Sequence, residues 1–162
     1  MGKDHPLIGK PAPRLTLPGI PKGEPFVLPV GEKPLAVFFF PQSGSMGCTI
    51  EACSFRDAIK ENPVFTRHPD LTIVGVSADL TVKQQAFADK ENLPYPIVSD
   101  MNGEARKAFK VGRAFFGAIP ERATFFVDRQ GIVKGVCTDN LNPYAHTKFV
   151  EKHLKEIVDA GP

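Results

Sequence analysis

Two neighbouring cysteines, Cys48 and Cys53, are the side chains of this sequence best suited to covalent chemistry. Cys48 follows a polar loop, residues 42–47, and is expected in the first turn of a predicted helix. Free backbone N–H groups and the positive end of the helix dipole favour a thiolate there, and the thiolate is the nucleophilic form of cysteine. Ser45 supplies a hydroxyl that can donate to the thiolate or to a substrate oxygen. The alternative is a buried structural cysteine that follows a loop.

The five-residue separation between Cys48 and Cys53 constrains any bond between them. On an ideal helix, five residues rise about 7.5 Å and turn by about 140°, which places the two Cα atoms roughly 8.7 Å apart. A disulfide spans no more than about 7 Å between Cα atoms. If the two thiols bond, the first turns of the helix must therefore unwind, which is typical of a reversible disulfide. The alternative is that Cys53 is a small apolar residue on the inner face of the helix.

Metal chemistry is disfavoured, because a structural zinc site needs four ligands at suitable spacing. The four histidines lie far from the cysteines in sequence, and we interpret each of them as a surface residue: His5, His68, His146 and His153. We expect no metal and no cofactor. Cys137 lies in a predicted strand and is expected to be a buried, inert thiol.

Composition excludes several classes of protein. The chain has 162 residues, with 20 Lys and Arg against 18 Asp and Glu, and a net charge of +2 that argues against a dedicated nucleic-acid binder. No apolar run approaches the roughly 20 residues of a membrane span. The first residues lack the apolar stretch of a secretory signal. We therefore expect a soluble protein without membrane or nucleic-acid partners, in the cytoplasm by default and with the nucleus as the alternative.

Strands that alternate with helices predict an α/β domain. A strand at 35–40 precedes the helix at 48–60, and a final hairpin makes the predicted sheet mixed. Residues 1–34 are rich in Pro and Gly and read as an arm with a hairpin at 14–17 and 26–28, packed on a single domain of residues 1–162. The remaining predictions are a strand at 71–77, a helix at 81–91 capped by Asp79 or Thr81, an edge strand at 95–99, a helix at 103–110, strands at 123–127 and 132–137, and a helix at 144–160.

The pattern Pro41-x-x-x-Ser45-x-x-Cys48 resembles the peroxiredoxin motif Pro-x-x-x-Thr/Ser-x-x-Cys. Residues 47–57, with the second cysteine five positions after the first, are similar to the Q-type subgroup, also called the bacterioferritin-comigratory-protein type. Further similarity at 9–13, 73–79, 98–100 and 122–131 extends the resemblance over about residues 8–157. The resemblance implies a thioredoxin-like fold: a central mixed β-sheet flanked by helices, with an N-terminal hairpin extension.

The resemblance also implies thiol-dependent reduction of hydrogen peroxide and organic hydroperoxides. Cys48 is then the peroxidatic cysteine and Cys53 the resolving one, joined in an intramolecular disulfide. Pro41 shields the site, Ser45 binds the peroxide oxygens, and Arg122 holds the thiolate and polarises the O–O bond. Without the resemblance, Arg122 reads as an ordinary surface arginine.

Two further residues receive roles by the same resemblance. The backbone at Gly47 is a candidate contact for substrate, and Glu51 is expected to support the site. A dithiol such as thioredoxin is the implied reductant, the sulfur carries the electrons without a cofactor, and a monomer is sufficient. The alternative function is a non-enzymatic redox sensor or interaction module on the same fold. Phe115 and Phe116 read either as an apolar wall for organic hydroperoxides or, more simply, as core.

Overall fold

A computed structural model describes residues 5–114 and 119–159 of the chain. The strands are β1 (Thr16–Pro18), β2 (Pro25–Val27), β3 (Leu35–Phe39), β4 (Thr72–Ser77), β5 (Ile97–Ser99), β6 (Arg113–Ala114), β7 (Ile119–Pro120), β8 (Ala123–Val127) and β9 (Val133–Cys137). The helices are α1 (Met46–Glu61), α2 (Pro63–Thr66), α3 (Thr81–Glu91), α4 (Glu104–Ala108) and α5 (Ala145–Asp159). Phe115 and Phe116 lie outside the described residues. No helix of the described ranges is both long enough and apolar enough to cross a membrane.

Five strands form the central sheet, in the order β5-β4-β3-β8-β9. The β3 strand runs parallel to β4 and antiparallel to β8, so the sheet is mixed, as predicted. Every residue of β3 is buried, which explains why a continuous apolar run codes for the central strand. The β5 strand lies at an edge, as predicted, but it is shorter than the predicted 95–99 and begins at Ile97, after Pro96. The predicted α/β architecture, a central mixed sheet flanked by helices, is confirmed.

The two faces of the sheet bury two separate apolar clusters. Phe39 faces the cluster covered by the N-terminal arm and α4, whereas Phe38 faces the cluster covered by α1, α3 and α5. The ring of Phe38 stacks on that of Phe55 at 4.8 Å and anchors α1 to the sheet. Burying one such phenylalanine contributes about 1.5–3 kcal/mol. This packing fixes where α1 begins relative to β3.

The arm forms the predicted hairpin, with β1 and β2 displaced by one or two residues from the predicted bounds. It joins the sheet at both edges through single bridges, Gly19 with Val98 and Pro11 with Ile132. The short pairing of β6 with β7 was not predicted.

The short helix α2 was not predicted: the Asn62 side chain accepts the Val64 N–H and Pro63 starts this helix just after α1 ends. One local prediction is wrong. Neither Asp79 nor Thr81 caps α3: Leu80 occupies the cap position and makes no side-chain cap hydrogen bond. Asp79 is instead used by the loop that precedes α1, described below.

Candidate active site

The start of α1 places Cys48 at the end of the central strand. Ser45 is the N-cap: its Oγ accepts a hydrogen bond from the Cys48 N–H at 3.4 Å and donates one to the Gln42 carbonyl at 3.2 Å. A serine cap satisfies N–H groups that the helix leaves unpaired. Cys48 therefore lies in the first turn, as predicted, and is completely buried. The Gln42 N–H approaches its sulfur at 3.5 Å.

The loop between β3 and α1 is held by a carboxylate that we had predicted to be a helix cap. Asp79 Oδ2 accepts the Ser43 N–H at 2.7 Å and the Ser77 hydroxyl at 2.9 Å. Burial opposes ionisation of Asp79, but these hydrogen bonds outweigh it and keep the pKa of Asp79 below its usual value. Gly44 has φ +87°, a conformation that favours glycine. These contacts hold the loop in the conformation in which the Gln42 N–H approaches the Cys48 sulfur.

Pro41 lies where the central strand stops. The last backbone bond before it is donated by Phe40 to the Val76 carbonyl at 2.9 Å. Proline has no N–H to continue the ladder, so the strand ends one residue earlier than predicted, at Phe39. Pro41 is half-buried at the start of the loop.

The register of the sheet places Arg122 at the end of β3, close to the start of α1. Phe39 pairs with Ala123 across the antiparallel β3–β8 ladder, so the residue before Ala123 lies where α1 begins. The guanidinium packs directly on Gly47, since a Cβ built there would lie 2.6 Å from Arg122 Nη2. Asn140 Oδ1 accepts the Arg122 backbone N–H at 2.7 Å. With 12% of its side chain exposed, Arg122 is not a surface arginine.

Glu51 pairs with this guanidinium at 2.8 Å, from Arg122 Nη1 to Glu51 Oε1. Its side chain is completely buried. Burial raises the pKa of Glu51 to about 8, even though the charge and the hydrogen bond of Arg122 lower it. Glu51, which the resemblance gave only a supporting role, is thus a completely buried ionisable group paired with Arg122.

His146 is a site neighbour that sequence reasoning missed. It is completely buried, with Nδ1 2.7 Å from Thr124 Oγ1 and Nε2 2.8 Å from the Asp139 carbonyl. Its Nδ1 also lies 3.4 Å from Glu51 Oε2. A usable signal was present, because His146 shares the helical face of Val150 and Leu154 at four-residue intervals.

The interpretation of every histidine as a surface residue is therefore wrong. His68 is also buried, and His5 and His153 are half-buried. Within residues 5–114 and 119–159, no group of three or more His, Cys, Asp or Glu is arranged to hold a metal ion.

Cys53 lies on the same continuous helix as Cys48, and both thiols are free. The Cys53 thiol points to α3, where it donates to Glu91 Oε1 at 3.4 Å, and Arg56 Nη1 donates to the Glu91 carbonyl at 2.6 Å. Burial and then the hydrogen bond to Glu91 raise the pKa of Cys53 to about 11. The predicted helix through both cysteines is confirmed, and their pairing stays a prediction. Cys137 is buried in β9, as predicted, and burial raises its pKa.

Comparison with known proteins identifies the family. Residues 8–136 match the AhpC/TSA family. Peroxiredoxin Q of Suaeda salsa, described as chloroplastic, is 34% identical over 125 residues, which are 77% of this chain and 56% of that protein. The corresponding protein of Arabidopsis thaliana is 33% identical over 148 residues, 91% of this chain and 66% of that protein. The chain thus spans between about half and two thirds of these plant relatives.

Solved structures cover the fold more fully. Peroxidoxin BcpB from Mycobacterium tuberculosis superposes with a TM-score of 0.80 at 31% identity and covers 93% of this chain and 97% of that one. The bacterioferritin comigratory protein of Xanthomonas campestris, studied for its alkyl peroxide reduction activity, gives a TM-score of 0.74 at 26% identity over 88% of this chain and 90% of that one. The family match over residues 8–136, together with these relatives, shows that the chain belongs to the AhpC/TSA family and is of the peroxiredoxin Q type.

Proposed function

We propose that this protein is a thiol peroxidase that reduces hydrogen peroxide and organic hydroperoxides through Cys48. One observation carries the proposal: the Cys48 sulfur lies in the first turn of α1, faces the Gln42 N–H, and follows the residue on which the Arg122 guanidinium packs. Such a position stabilises a thiolate and the negative charge that develops on a leaving oxygen.

In the first step the Cys48 thiolate attacks one peroxide oxygen. An S–O bond forms while the O–O bond breaks, and the other oxygen leaves as water or an alcohol after it takes a proton. The sulfur is oxidised to a sulfenic acid and the peroxide is reduced. Because Cys48 has no exposed surface, the loop at 42–45 must shift to admit the peroxide. Arg122, Ser45 and the N–H groups around Gly47 are the proposed contacts of its oxygens.

In the second step Cys53 attacks the sulfenic sulfur. An S–S bond forms and water leaves, and an external dithiol, thioredoxin or a similar protein, then reduces the disulfide to two thiols. The step requires α1 to open, because an intact helix holds the two cysteines too far apart for a disulfide. Opening breaks the hydrogen bond from Cys53 to Glu91 and the one that the Tyr95 hydroxyl donates to the Ala52 carbonyl at 2.7 Å.

NADPH consumption in the presence of thioredoxin, thioredoxin reductase and peroxide tests the proposal. The wild type is expected to turn over repeatedly and Cys48→Ser to be inactive, because a serine hydroxyl is a poor nucleophile without a strong base. Cys137→Ser is the matched control and should keep wild-type turnover. Turnover near the wild-type rate in Cys48→Ser would remove Cys48 from the reaction.

A second candidate function is a non-enzymatic redox sensor. The raised pKa of Cys53 favours it, because a protonated resolving thiol slows disulfide formation and prolongs the sulfenic acid. A sensor undergoes one oxidation and then changes its complex with a partner, whereas a peroxidase consumes many equivalents of peroxide. The NADPH assay separates the two.

We also propose that residues 1–162 form one domain that acts as a monomer in the cytoplasm. Bridges from the arm to both edges of the sheet support a single domain. Two cysteines on one helix support a monomer, since resolution needs no second subunit. A dithiol reductant is available in reducing compartments, which supports the cytoplasm.

A further inference from the structure

The end of the sheet away from Cys48 contains a cavity that the reaction scheme does not use. Its volume is about 450 Å³, and it is lined by the end of α1, by α2 and the turn after it, by the first residues of β4 and by the segment before β5. Thr72 of the lining pairs with Leu35, the first residue of β3, whereas Cys48 follows the last. Cavities of about 300–1,000 Å³ hold small organic molecules in proteins.

The walls of the cavity are mostly apolar. Ile59 of α1, Phe65 of α2 and Leu71 line it, together with the ring of Tyr95. Three prolines complete the apolar surface: Pro69, Pro94 and Pro96. Because proline fixes its own φ angle, the wall on either side of Tyr95 is ordered before a ligand arrives, which lowers the entropic cost of binding. Two aromatic rings and three prolines suit a flat aromatic ligand.

The charge of the lining restricts the ligand further. No Lys, Arg, Asp or Glu is among the described residues that line the cavity. A charged ligand would lose its hydration there and gain no opposite charge in return, which is costly. The Thr66 hydroxyl donates to the Pro63 carbonyl at 3.1 Å, so its proton is already used. We therefore expect a neutral ligand that is apolar over most of its surface.

One buried nitrogen can supply the polar contact. His68 lines the cavity and is only 9% exposed. Its backbone is held at both ends, because its N–H donates to the Phe65 carbonyl and its carbonyl accepts the Leu71 N–H, each at 3.0 Å. The side-chain Nε2 is buried and has no hydrogen-bond partner among the residues that the structure describes. A ligand that bonds this nitrogen would satisfy a group that is costly to bury alone.

A hydroxyl group is the partner that suits Nε2 of His68 best. In a neutral imidazole this nitrogen is a donor in one tautomer and an acceptor in the other. A hydroxyl can accept from the first and donate to the second, whereas a ketone or ether only accepts. The lining thus favours an aromatic ring that carries a hydroxyl.

Tyr95 connects the cavity to the helix that carries both cysteines. Its ring lines the cavity, and its hydroxyl donates to the Ala52 carbonyl at 2.7 Å. Ala52 directly precedes Cys53, and the opening of α1 that the second reaction step requires breaks this bond. A ligand packed on the ring holds Tyr95 where it makes the bond, so it should bind the closed helix more tightly than the open one.

We infer that the cavity binds a neutral aromatic alcohol, with the hydroxyl on His68 Nε2 and the ring against Phe65 and Tyr95, and that the bound molecule slows disulfide formation by holding α1 closed. Coupling between two sites is reciprocal, so the Cys48–Cys53 disulfide should weaken binding by the same factor. The binding site stands independently of the peroxidase proposal, whereas the kinetic consequence rests on it.

Titration of the reduced protein with 2-naphthol, followed by amide NMR shifts, tests the site. The shifts should saturate and lie within residues 65–73 and 94–97. Naphthalene has the same rings without the hydroxyl and should bind about tenfold more weakly. The charged 2-naphthoate should not bind in this cavity.

His68→Phe keeps a ring of similar size but removes the nitrogen, so this variant should bind 2-naphthol no better than naphthalene. A residue that only shaped the cavity would change the affinity for both compounds alike. His153→Phe is the matched control, because His153 lies on α5 outside the cavity lining and should keep the tenfold preference.

Mass spectrometry of protein oxidised with one equivalent of peroxide measures the coupling. Saturating 2-naphthol should slow formation of the Cys48–Cys53 disulfide several-fold in the wild type. Tyr95→Phe keeps the ring that lines the cavity but cannot donate to the Ala52 carbonyl. This variant should bind 2-naphthol, and its disulfide should form at the same rate with and without the ligand.

A wild type without saturable shifts around the cavity overturns the site, and this result needs no variant to fold. A folded His68→Phe that keeps the tenfold preference removes His68 from the contact. Binding that leaves the rate of disulfide formation unchanged overturns the coupling. If the oxidised protein forms no Cys48–Cys53 disulfide at all, the proposed function fails, while the titration still decides whether the cavity is a binding site.

Discussion

At the scale of single residues, the contact between Arg122 and Gly47 shows that residue 47 has no room for a side chain. The guanidinium occupies the space that a side chain at residue 47 would need. Because Gly47 lies in the first turn of α1, its lack of a Cβ lets a cation reach the helix start beside Cys48. The resemblance suggested a substrate contact for this glycine, and the structure adds a steric requirement.

Gly47→Ala should therefore lower activity without lowering stability. The new Cβ would lie 2.6 Å from Arg122 Nη2, so the guanidinium must move away from Cys48. Alanine in a helix is favoured over glycine by about 0.5–1 kcal/mol, so the free energy of unfolding should hold or rise. Stopped-flow oxidation by peroxide is expected to slow by at least about tenfold. Gly112→Ala, where the nearest atom would lie at 3.6 Å, is the control, and equal rates for both variants would contradict the steric argument.

The bond between Cys53 and Glu91 makes a second residue-level prediction. Glu91→Gln should lower the pKa of Cys53 from about 11 toward its usual value, because the acceptor charge that favours the protonated thiol is lost. The disulfide should then form several-fold faster, and less Cys48 should be over-oxidised to sulfinic acid at high peroxide. Mass spectrometry of oxidised protein measures both. Asp89→Asn, on the same helix, is the control; unchanged resolution in Glu91→Gln would show that Glu91 does not restrain Cys53.

Local sequence identified part of the site. Cys48 and Ser45 lie in a short pattern whose spacing is itself informative, whereas Arg122 was predicted only because of the family resemblance. His146 and Asp79 could not be assigned to the site, because their importance comes from tertiary proximity to Glu51 and to the loop before α1. A completely buried glutamate in a helix also looks in sequence like any solvent-facing one.

Among secondary-structure elements, long periodic segments were predicted well and short ones poorly. The β3 strand and α5 carry continuous or helically spaced apolar residues, and both were placed within one or two residues. The four residues of α2 are too few to show a period, and its start depends on the Asn62 side chain and Pro63. The predicted cap of α3 is wrong because the Asp79 carboxylate accepts the Ser43 N–H of the loop before α1 and not an N–H of α3.

Disulfide formation should unwind the first turns of α1. An ideal helix holds the two Cα atoms roughly 8.7 Å apart, beyond the reach of a disulfide. Amide exchange of residues 46–56 should rise on oxidation, while β4 stays protected because it pairs on both sides in the sheet. Oxidised Cys53→Ser, which cannot form the bond, should show no such rise. A disulfide with unchanged exchange over 46–56 would mean that the helix accommodates the bond without opening.

Across the protein, the buried ionisable groups set how stability depends on pH. The unfolded chain releases the Glu51 proton near pH 4.5, whereas the folded protein holds it to about pH 8. The unfolded state therefore binds fewer protons in this interval, and the free energy of unfolding falls as the pH rises through it. His146 and His153 act in the opposite direction, because burial lowers their pKa values. Their contribution grows until the unfolded histidines are neutral, which is nearly complete at about pH 7.5, one unit above their usual pKa.

Between about pH 6.5 and pH 8 the Glu51 contribution should therefore dominate. The wild type is expected to lose about 1–2 kcal/mol of unfolding free energy over this interval, since one proton corresponds to about 1.4 kcal/mol per pH unit. Urea unfolding followed by far-ultraviolet circular dichroism measures it, because the chain has no Trp for fluorescence. Residue 51 cannot titrate in Glu51→Gln, so the unfolding free energy of this variant should not fall across the interval, whatever its absolute value. A wild type whose unfolding free energy does not fall either would mean that Glu51 is already ionised at pH 6.5, and that its pairing with Arg122 outweighs its burial.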